Sequence, residues 1–126
     1  MNFPTDVMYS KSHEWVKFNE DGSMLIGLTD YAQHALGDIV FVNLPEVGDV
    51  VTTGESLGDV ESVKAVSDIF SPISGEVSEV NEGILDAPEQ INSDPYGTWL
   101  IKVCEITEQE DLMNAADYEK LCAEED

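Results

Sequence analysis

The chain has 126 residues, of which 42% are hydrophobic, and a formal net charge of −22. This length fits one compact domain, and the apolar fraction is too high for a disordered chain. The negative charge repels phosphate backbones and anionic lipids, and no apolar run approaches the ~20 residues of a membrane span, so we expect no nucleic-acid or membrane binding.

The acidity has two open explanations, solubility or steering toward partners with basic docking faces. The first six residues lack the basic start and apolar stretch of a signal peptide and the arginines of a transit peptide. We therefore expect a cytoplasmic protein of bacterial type, or a mitochondrial matrix protein if a presequence has been removed. We also expect the protein to be a monomer.

The N-terminal part predicts a β-hairpin. Strands are expected at Glu14–Phe18 and Met24–Leu28, and the joining residues 19–23 contain an Asp-Gly pair. Asp-Gly between two apolar runs is a strong hairpin signal, because both residues accept the positive φ that tight turns require.

A short helix and another strand follow. Thr29 can cap a helix whose apolar residues form i,i+4 pairs, and Gly37 supplies its end. The β-branched run at residues 39–42 predicts a strand that ends before Pro45.

Residues 48–83 are divided by glycines and a proline into short β-prone runs, the pattern of a small sandwich or barrel of short strands. A helix is the competing interpretation, since five apolar residues recur every three positions: Leu57, Val60, Val63, Val66 and Ile69. At ~100° per residue these positions spread around most of a helix. Gly58 and Pro72 also disfavour a helix, and we prefer a hairpin.

The C-terminal third predicts a loop, a strand and two short helices. Residues 83–97 are expected to form a loop with at most one helical turn, and residues 98–105 a strand. Thr107 and Glu110 have the spacing of a capping box that opens a helix, and Asn114 can cap a second one. We therefore predict one domain over residues 1–126, with a carrier hairpin core at about 48–83 and C-terminal helices at about 107–123.

The cysteines and histidines of the chain do not have the spacing of a known metal site. Cys104 and Cys122 are far apart, and neither His13 nor His34 has a cysteine nearby. Buried thiols are favoured over a disulfide or a redox pair, and no metal site is predicted.

Lys64 is the only lysine or arginine between Lys17 and Lys102. It lies between two β-prone runs, where a tight turn would expose it. An amine is nucleophilic only when neutral, and solvation favours the charged form, so Schiff-base or general-base chemistry is disfavoured. Two interpretations remain from position alone: an ordinary surface lysine, or a lysine that another enzyme acylates.

The residues around Lys64 resemble the biotinyl/lipoyl carrier family, whose members carry a cofactor on a hairpin lysine. The segments that carry this resemblance are Gly48-Asp49-Val50-Val51, Gly54-Glu55-Ser56-Leu57, Glu61-Ser62-Val63-Lys64-Ala65 and Ser71-Pro72-Ile73-Ser74-Gly75-Glu76-Val77. Biotin carriers typically have methionine on both sides of the lysine, whereas Val63 and Ala65 stand here.

The form Glu61-Ser62-Val63-Lys64-Ala65 is similar to the H-protein family of the glycine cleavage system. Further similar segments are Ser12-His13-Glu14-Trp15-Val16, Ile26-Gly27-Leu28-Thr29-Asp30-Tyr31, Gly37-Asp38-Ile39-Val40-Phe41-Val42 and Ile91-Asn92-Ser93-Asp94-Pro95-Tyr96. The resemblance implies a mainly β barrel-sandwich hybrid with short helices and lipoic acid in amide linkage to Lys64 on a hairpin tip. Glu61, Ser62, Val63 and Ala65 would form the lipoylation motif.

The resemblance also implies a shuttle that is not itself an enzyme. Its partners would be a glycine decarboxylase, an aminomethyltransferase, a dihydrolipoamide dehydrogenase and a lipoylating enzyme. A tethered arm raises the effective concentration of its cargo at each partner. The alternatives are a lipoyl donor that relays the cofactor to other enzymes, a biotin-type carrier, and an independent catalyst, for which no nucleophile–base pair is visible.

By the same resemblance the arm would carry an aminomethyl group from the glycine decarboxylase to the aminomethyltransferase. Its thioether is prone to hydrolysis and its amine is cationic, so a dry cleft with a carboxylate would protect it. Our hypothesis for this cleft is Glu14, with Ser12, His34 and Asp68 as contributors. The alternatives are a strand-edge charge for Glu14, a helix-surface residue for His34 and one of many surface acids for Asp68.

Overall fold

The computed structural model describes residues 1–125 as two antiparallel sheets with four short helices around them. The larger sheet has the strand order β1-β2-β3-β9-β8-β5 and the smaller one β4-β6-β7. The strands are β1 (Met8–Tyr9), β2 (Glu14–Phe18), β3 (Met24–Leu28), β4 (Ile39–Asn43), β5 (Val50–Val51), β6 (Ser56–Ser62), β7 (Val66–Phe70), β8 (Ile73–Val80) and β9 (Ile101–Gln109). The helices are α1 (Asp30–Leu36), α2 (Gly83–Asp86), α3 (Gln90–Ser93) and α4 (Ala115–Glu125).

The predicted first hairpin is confirmed. Strands β2 and β3 pair in register from Glu14↔Leu28 to Phe18↔Met24, and Gly22 in the turn has a φ of 89°. Within this pairing Gly27 lies opposite Trp15, and a Cβ on Gly27 would overlap the indole ring. Glycine is therefore needed at position 27 for close packing.

The predicted helix α1 is also confirmed. The Thr29 hydroxyl accepts a hydrogen bond from the Ala32 N–H at 3.2 Å, and the Gly37 N–H returns to the Gln33 carbonyl. Gly37 has a φ of 81°, which side chains other than glycine rarely adopt.

The three-residue recurrence after residue 56 belongs to a hairpin, as predicted. Leu57 and Val60 are both buried although an odd spacing puts strand residues on opposite faces. The pairing of β6 with β7 shifts between Ser56 and Gly58, and such a bulge turns both side chains to the core. Val63 and Val66, in contrast, are exposed.

One of the two predicted C-terminal helices is absent within residues 1–125. Thr107 and Glu110 do not open a helix, because β9 continues to Gln109 and pairs there with Ile73 of β8. Backbone pairing with a neighbouring strand satisfies the groups that a helix would have bonded, and this overrides the local capping signal. Of the two helices predicted at about 107–123, only the second is present, as α4 (Ala115–Glu125), and Asn114 caps it by accepting the Asp117 N–H at 2.8 Å.

The region before β9 also differs in detail. Residues 83–97 contain two helical turns, α2 and α3, where one at most was predicted. The apolar residues Ile84 and Ile91 anchor these turns, since each is almost completely buried. The strand predicted at 98–105 begins later, at Ile101, and ends later.

Two groups of buried side chains form the core. The larger lies between the two sheets and includes Val16, Ile26, Val60, Ile69, Ile73, Leu100, Ile101 and Val103. The smaller packs α4 against the start of the chain and includes Val7, Tyr9, Trp15, Tyr118 and Cys122. No disulfide joins Cys104 and Cys122, and none of the helices within residues 1–125 has the length and apolar content of a membrane-spanning segment.

Candidate functional site

Lys64 lies at the tip of the β6–β7 hairpin. The Ser62 N–H donates to the Ala65 carbonyl at 2.8 Å, which closes the turn. The Ser62 hydroxyl also accepts hydrogen bonds from the backbone N–H groups of Lys64 (3.1 Å) and Ala65 (3.2 Å). These bonds hold the backbone of the tip in a defined shape while the lysine side chain remains exposed.

The hairpin tip is braced from the corner between α1 and β4. The Val63 N–H donates to the Asp38 carbonyl at 3.0 Å. The aliphatic stem of Lys64 passes over Gly37, where a Cβ would lie 3.3 Å from the lysine Cε. Within residues 1–125 the ion pairs are His13–Glu125 and Lys17–Asp6, so the Lys64 ammonium has no carboxylate partner.

The outer surface beside the tip is mixed apolar and acidic. Glu61 is exposed and lies opposite Phe41 of β4 and Val66 of β7 in the sheet. Val63 and Val66 are also exposed, at 67% and 65%. A partner that reaches Lys64 would therefore meet apolar side chains and a carboxylate together.

A cavity of about 150 Å³ lies between α1, the residues before β2, and β7. Its lining residues are Ser12, His13, Glu14, Leu28, Tyr31, Ala32, Ala35, Leu36, Val60, Ser67, Asp68 and Ile69. A cavity of ~150 Å³ accommodates a group about as large as benzene. A larger open groove of about 640 Å³ lies along β4 and the following loop, but its acids, Glu46 and Glu82, are exposed.

Glu14 is the buried titratable group of this cavity, with 1% of its surface exposed. Its Oε1 accepts hydrogen bonds from the hydroxyls of Ser10 (2.7 Å) and Ser12 (2.5 Å), and its Oε2 accepts a long one from the Phe70 N–H (3.4 Å). Burial raises the pKa of Glu14 to about 7, and the three hydrogen bonds oppose this rise only in part. Glu14 therefore changes its charge near neutral pH.

The structure brings together three of the four residues predicted for the cleft. Ser12, Glu14 and Asp68 all line the cavity, and Asp68 lies on β7, four residues after Lys64 at the hairpin tip. His34 is exposed in the last turn of α1 and is not among the lining residues. Strand β7 thus leads from the hairpin tip to the cavity.

His13 lines the cavity and was not predicted there. It has a φ of 74°, its Nδ1 lies 2.8 Å from the Tyr118 hydroxyl, and its Nε2 lies 2.7 Å from Glu125 Oε2. Burial lowers the pKa of the His13 imidazole, and Glu125 opposes this shift. A regular strand would turn His13 away from Ser12 and Glu14, so no local sequence signal indicated its position.

The two-sheet architecture with a braced, exposed hairpin lysine defines the class of barrel-sandwich carrier domains. Comparison with known proteins agrees with this class and identifies one family within it. The family model described as glycine cleavage H-protein matches residues 7–125, and the chain belongs to that family.

Individual relatives are similar over almost their full lengths. The glycine cleavage system H protein of Listeria innocua is 55% identical over 123 residues, which cover 95% of this chain and 98% of that protein. The H protein of Lachnoclostridium phytofermentans is 53% identical over 120 residues, with 95% and 94% covered. A crystal structure of the Mycobacterium marinum H protein has a TM-score of 0.88 and 45% identity, and the match covers 93% of this chain and 96% of that one.

Proposed function

We propose that this protein carries a lipoyl group in amide linkage on Lys64 and shuttles reaction intermediates within the glycine cleavage system. The observation that carries the proposal is the single exposed lysine on a hairpin tip whose backbone is fixed by Ser62 and Asp38. Acylation requires an accessible amine, and Lys64 has one without an ion pair to break. Family membership supports the same role.

The partners in this proposal are a lipoylating enzyme, a glycine decarboxylase, an aminomethyltransferase and a dihydrolipoamide dehydrogenase. When attached, the lipoyl group would supply a disulfide that is reduced as it takes up the aminomethyl group and is later reoxidised by the dihydrolipoamide dehydrogenase. The protein contributes a tether, because an arm fixed at Lys64 presents its cargo to each partner at high effective concentration.

The cavity beneath α1 fits the end of such an arm. Its walls combine apolar side chains from α1 and β7 with the buried carboxyl of Glu14. A cationic amine that entered would pair with the Glu14 carboxylate and be separated from bulk water. Because the carboxyl of Glu14 has a pKa of about 7, a neighbouring cation would favour its charged form at neutral pH.

The attachment is tested by intact mass after expression with lipoate, with and without biotin, together with a lipoylating enzyme. We expect one lipoyl group on the wild type and on a Lys17→Ala control, which loses another exposed lysine, and none on Lys64→Ala. Lipoylation of Lys64→Ala, or a biotin adduct on the wild type, would contradict the proposal.

The place in the pathway is tested by exchange of labelled bicarbonate into glycine. With glycine decarboxylase added, the lipoylated wild type should support exchange, and Lys64→Ala should not. A lipoylated protein that supports no exchange would assign the lipoyl group to another pathway, such as cofactor relay.

Glu14 is tested on the loaded protein by the rate at which ammonia and formaldehyde are released. Glu14→Gln keeps the size of the side chain but removes the charge that pairs with the amine, so release should accelerate about tenfold, the size of one lost charge-assisted bond. Glu79→Gln, which changes an exposed acid on β8 outside the cavity, is the matched control and should leave the rate unchanged. Equal rates for wild type and Glu14→Gln would remove Glu14 from the site.

A further inference from the structure

The side chain of Asn92, on α3, makes three hydrogen bonds to the corner between α1 and β4. Its Nδ2 donates to the Gly37 carbonyl (2.8 Å) and to Gln33 Oε1 (3.0 Å), and its Oδ1 accepts from the Ile39 N–H (2.9 Å). The orientation of the amide is fixed by chemistry, because a backbone N–H only donates and a carbonyl only accepts. One half-buried side chain therefore holds two consecutive peptide groups.

One of these peptide groups also holds the hairpin. The Ile39 N–H and the Asp38 carbonyl belong to the same planar peptide unit, and in a trans peptide they point in opposite directions. The N–H side binds Asn92 and the carbonyl side accepts the Val63 N–H at 3.0 Å. Asn92 and the residue before Lys64 are thus linked through a single rigid group, and each bond polarises the next.

The same amide also reaches the helix that forms one wall of the cavity. Gln33 lies on α1, and its neighbours on that helix, Tyr31, Ala32 and Ala35, line the cavity. The neighbour of Asn92 on α3, Ile91, is 1% exposed and anchors the turn in the core. The support for Asn92 therefore comes from the core and not from the surface that it braces.

We propose that Asn92 is a positioning residue that fixes the Lys64 hairpin relative to α1 and the cavity. Through Gln33 it holds the helix, and through the 38–39 peptide it holds the hairpin tip. The functional meaning of this geometry rests on the proposed attachment at Lys64, but the mechanical link itself does not. It is measurable on the unmodified protein.

The test is residue-resolved amide hydrogen exchange on the unmodified wild type and on Asn92→Ala. Loss of Asn92 frees the 38–39 peptide to rotate, so the Val63 and Ile39 amides should exchange about tenfold faster relative to core amides such as Val77, the size of one lost hydrogen bond. The matched control is Asn81→Ala, because the Asn81 side chain donates to the Trp99 carbonyl at 2.7 Å on another part of the fold. In that control the Val63 amide should change no more than the core amides do.

A general contribution of Asn92 to stability would accelerate Val63 and Val77 by the same factor, and that result would overturn the proposal. Asn92→Asp provides a second variant of the same size in case the alanine variant does not fold. It keeps the acceptor for Ile39 but loses both donors and places a carboxylate against the Gly37 carbonyl, so the Val63 amide should again exchange faster than core amides. The two proposals fail separately. If the wild type is lipoylated at Lys64 but the Val63 amide exchanges at the same rate in the Asn92 variants as in the wild type, only the role of Asn92 is rejected. If the wild type is not lipoylated but the Val63 amide exchanges faster in the Asn92 variants, only the attachment at Lys64 is rejected.

Discussion

At the scale of single residues, Glu14 shows how burial and hydrogen bonding compete. Desolvation favours the neutral carboxyl, while the hydroxyls of Ser10 and Ser12 and the Phe70 N–H favour the carboxylate. Burial is the larger effect, and the pKa of about 7 is the result. A surface glutamate could not switch its charge in response to a ligand near neutral pH.

This pKa predicts a pH dependence of stability. Between the ordinary pKa of 4.5 and about 7, the folded state keeps a proton on Glu14 that the unfolded chain releases. The free energy of unfolding should therefore fall as pH rises through this window and then stop falling. The total fall in the free energy of unfolding should be roughly 3 kcal/mol, because each unit of pKa shift corresponds to ~1.4 kcal/mol.

Urea unfolding of the wild type and Glu14→Gln from pH 4 to 8 measures this contribution. The glutamine variant lacks the titration, so its stability relative to the wild type should increase across the window. Other carboxylates titrate in both proteins and cancel in the difference. A difference in stability that is independent of pH would show that folding does not raise the pKa of Glu14.

At the scale of elements, the position of α1 depends on its cap. The Thr29 hydroxyl accepts the Ala32 N–H and is also 2.7 Å from the Tyr118 hydroxyl on α4. Tyr118 in turn lies 2.8 Å from His13 Nδ1. One buried hydroxyl therefore joins the start of the cavity helix to the C-terminal helix.

Substitution of Thr29 separates the hydroxyl from the methyl group. Thr29→Val keeps the shape but removes the cap and the bond to Tyr118, and should lower the free energy of unfolding by about 2 kcal/mol. Thr29→Ser keeps the hydroxyl and should cost about 1 kcal/mol for the lost methyl. Denaturant unfolding compares the two, and a Thr29→Val variant as stable as the wild type would show that the hydroxyl contributes nothing.

At the scale of the whole molecule, unbalanced charge opposes the folded state. The formal charge is −22, and Asp59 and Asp68 face each other directly across β6 and β7. Only two ion pairs within 4.0 Å are present among residues 1–125, both with partly exposed side chains. Repulsion between carboxylates is therefore incompletely compensated in the described part of the chain.

Salt should stabilise this protein. The Debye length falls from ~30 Å at 0.01 M to ~3 Å at 1 M, so added ions screen the repulsion. We expect the Tm to rise by roughly 5 °C between low salt and ~0.5 M KCl, equivalent to about 1–2 kcal/mol for a chain of this size. Sucrose at equal osmolality is the control for non-ionic effects, and a Tm that falls with KCl would contradict the repulsion argument.

The amino-acid sequence alone determined the local features of this protein. The Asp-Gly turn, the Thr29 cap, the Gly37 helix end and the hairpin around Lys64 follow from residues within a few positions of one another. These signals depend on backbone preferences and on alternation of side chains, which act over short distances. The resemblance to the H-protein family rests on the same kind of local motif.

Only the tertiary structure decided which distant groups meet. Strand β9 extends along β8, so Thr107 and Glu110 do not cap a helix. The positive φ of His13 bends the chain there, and the His13 side chain lines the cavity. The Phe70 amide reaches Glu14 across 56 positions, and Asn92 reaches Ile39 across 53. Burial and hydrogen-bond partners are set by chain segments that pack together in space, and no short window of sequence contains that information.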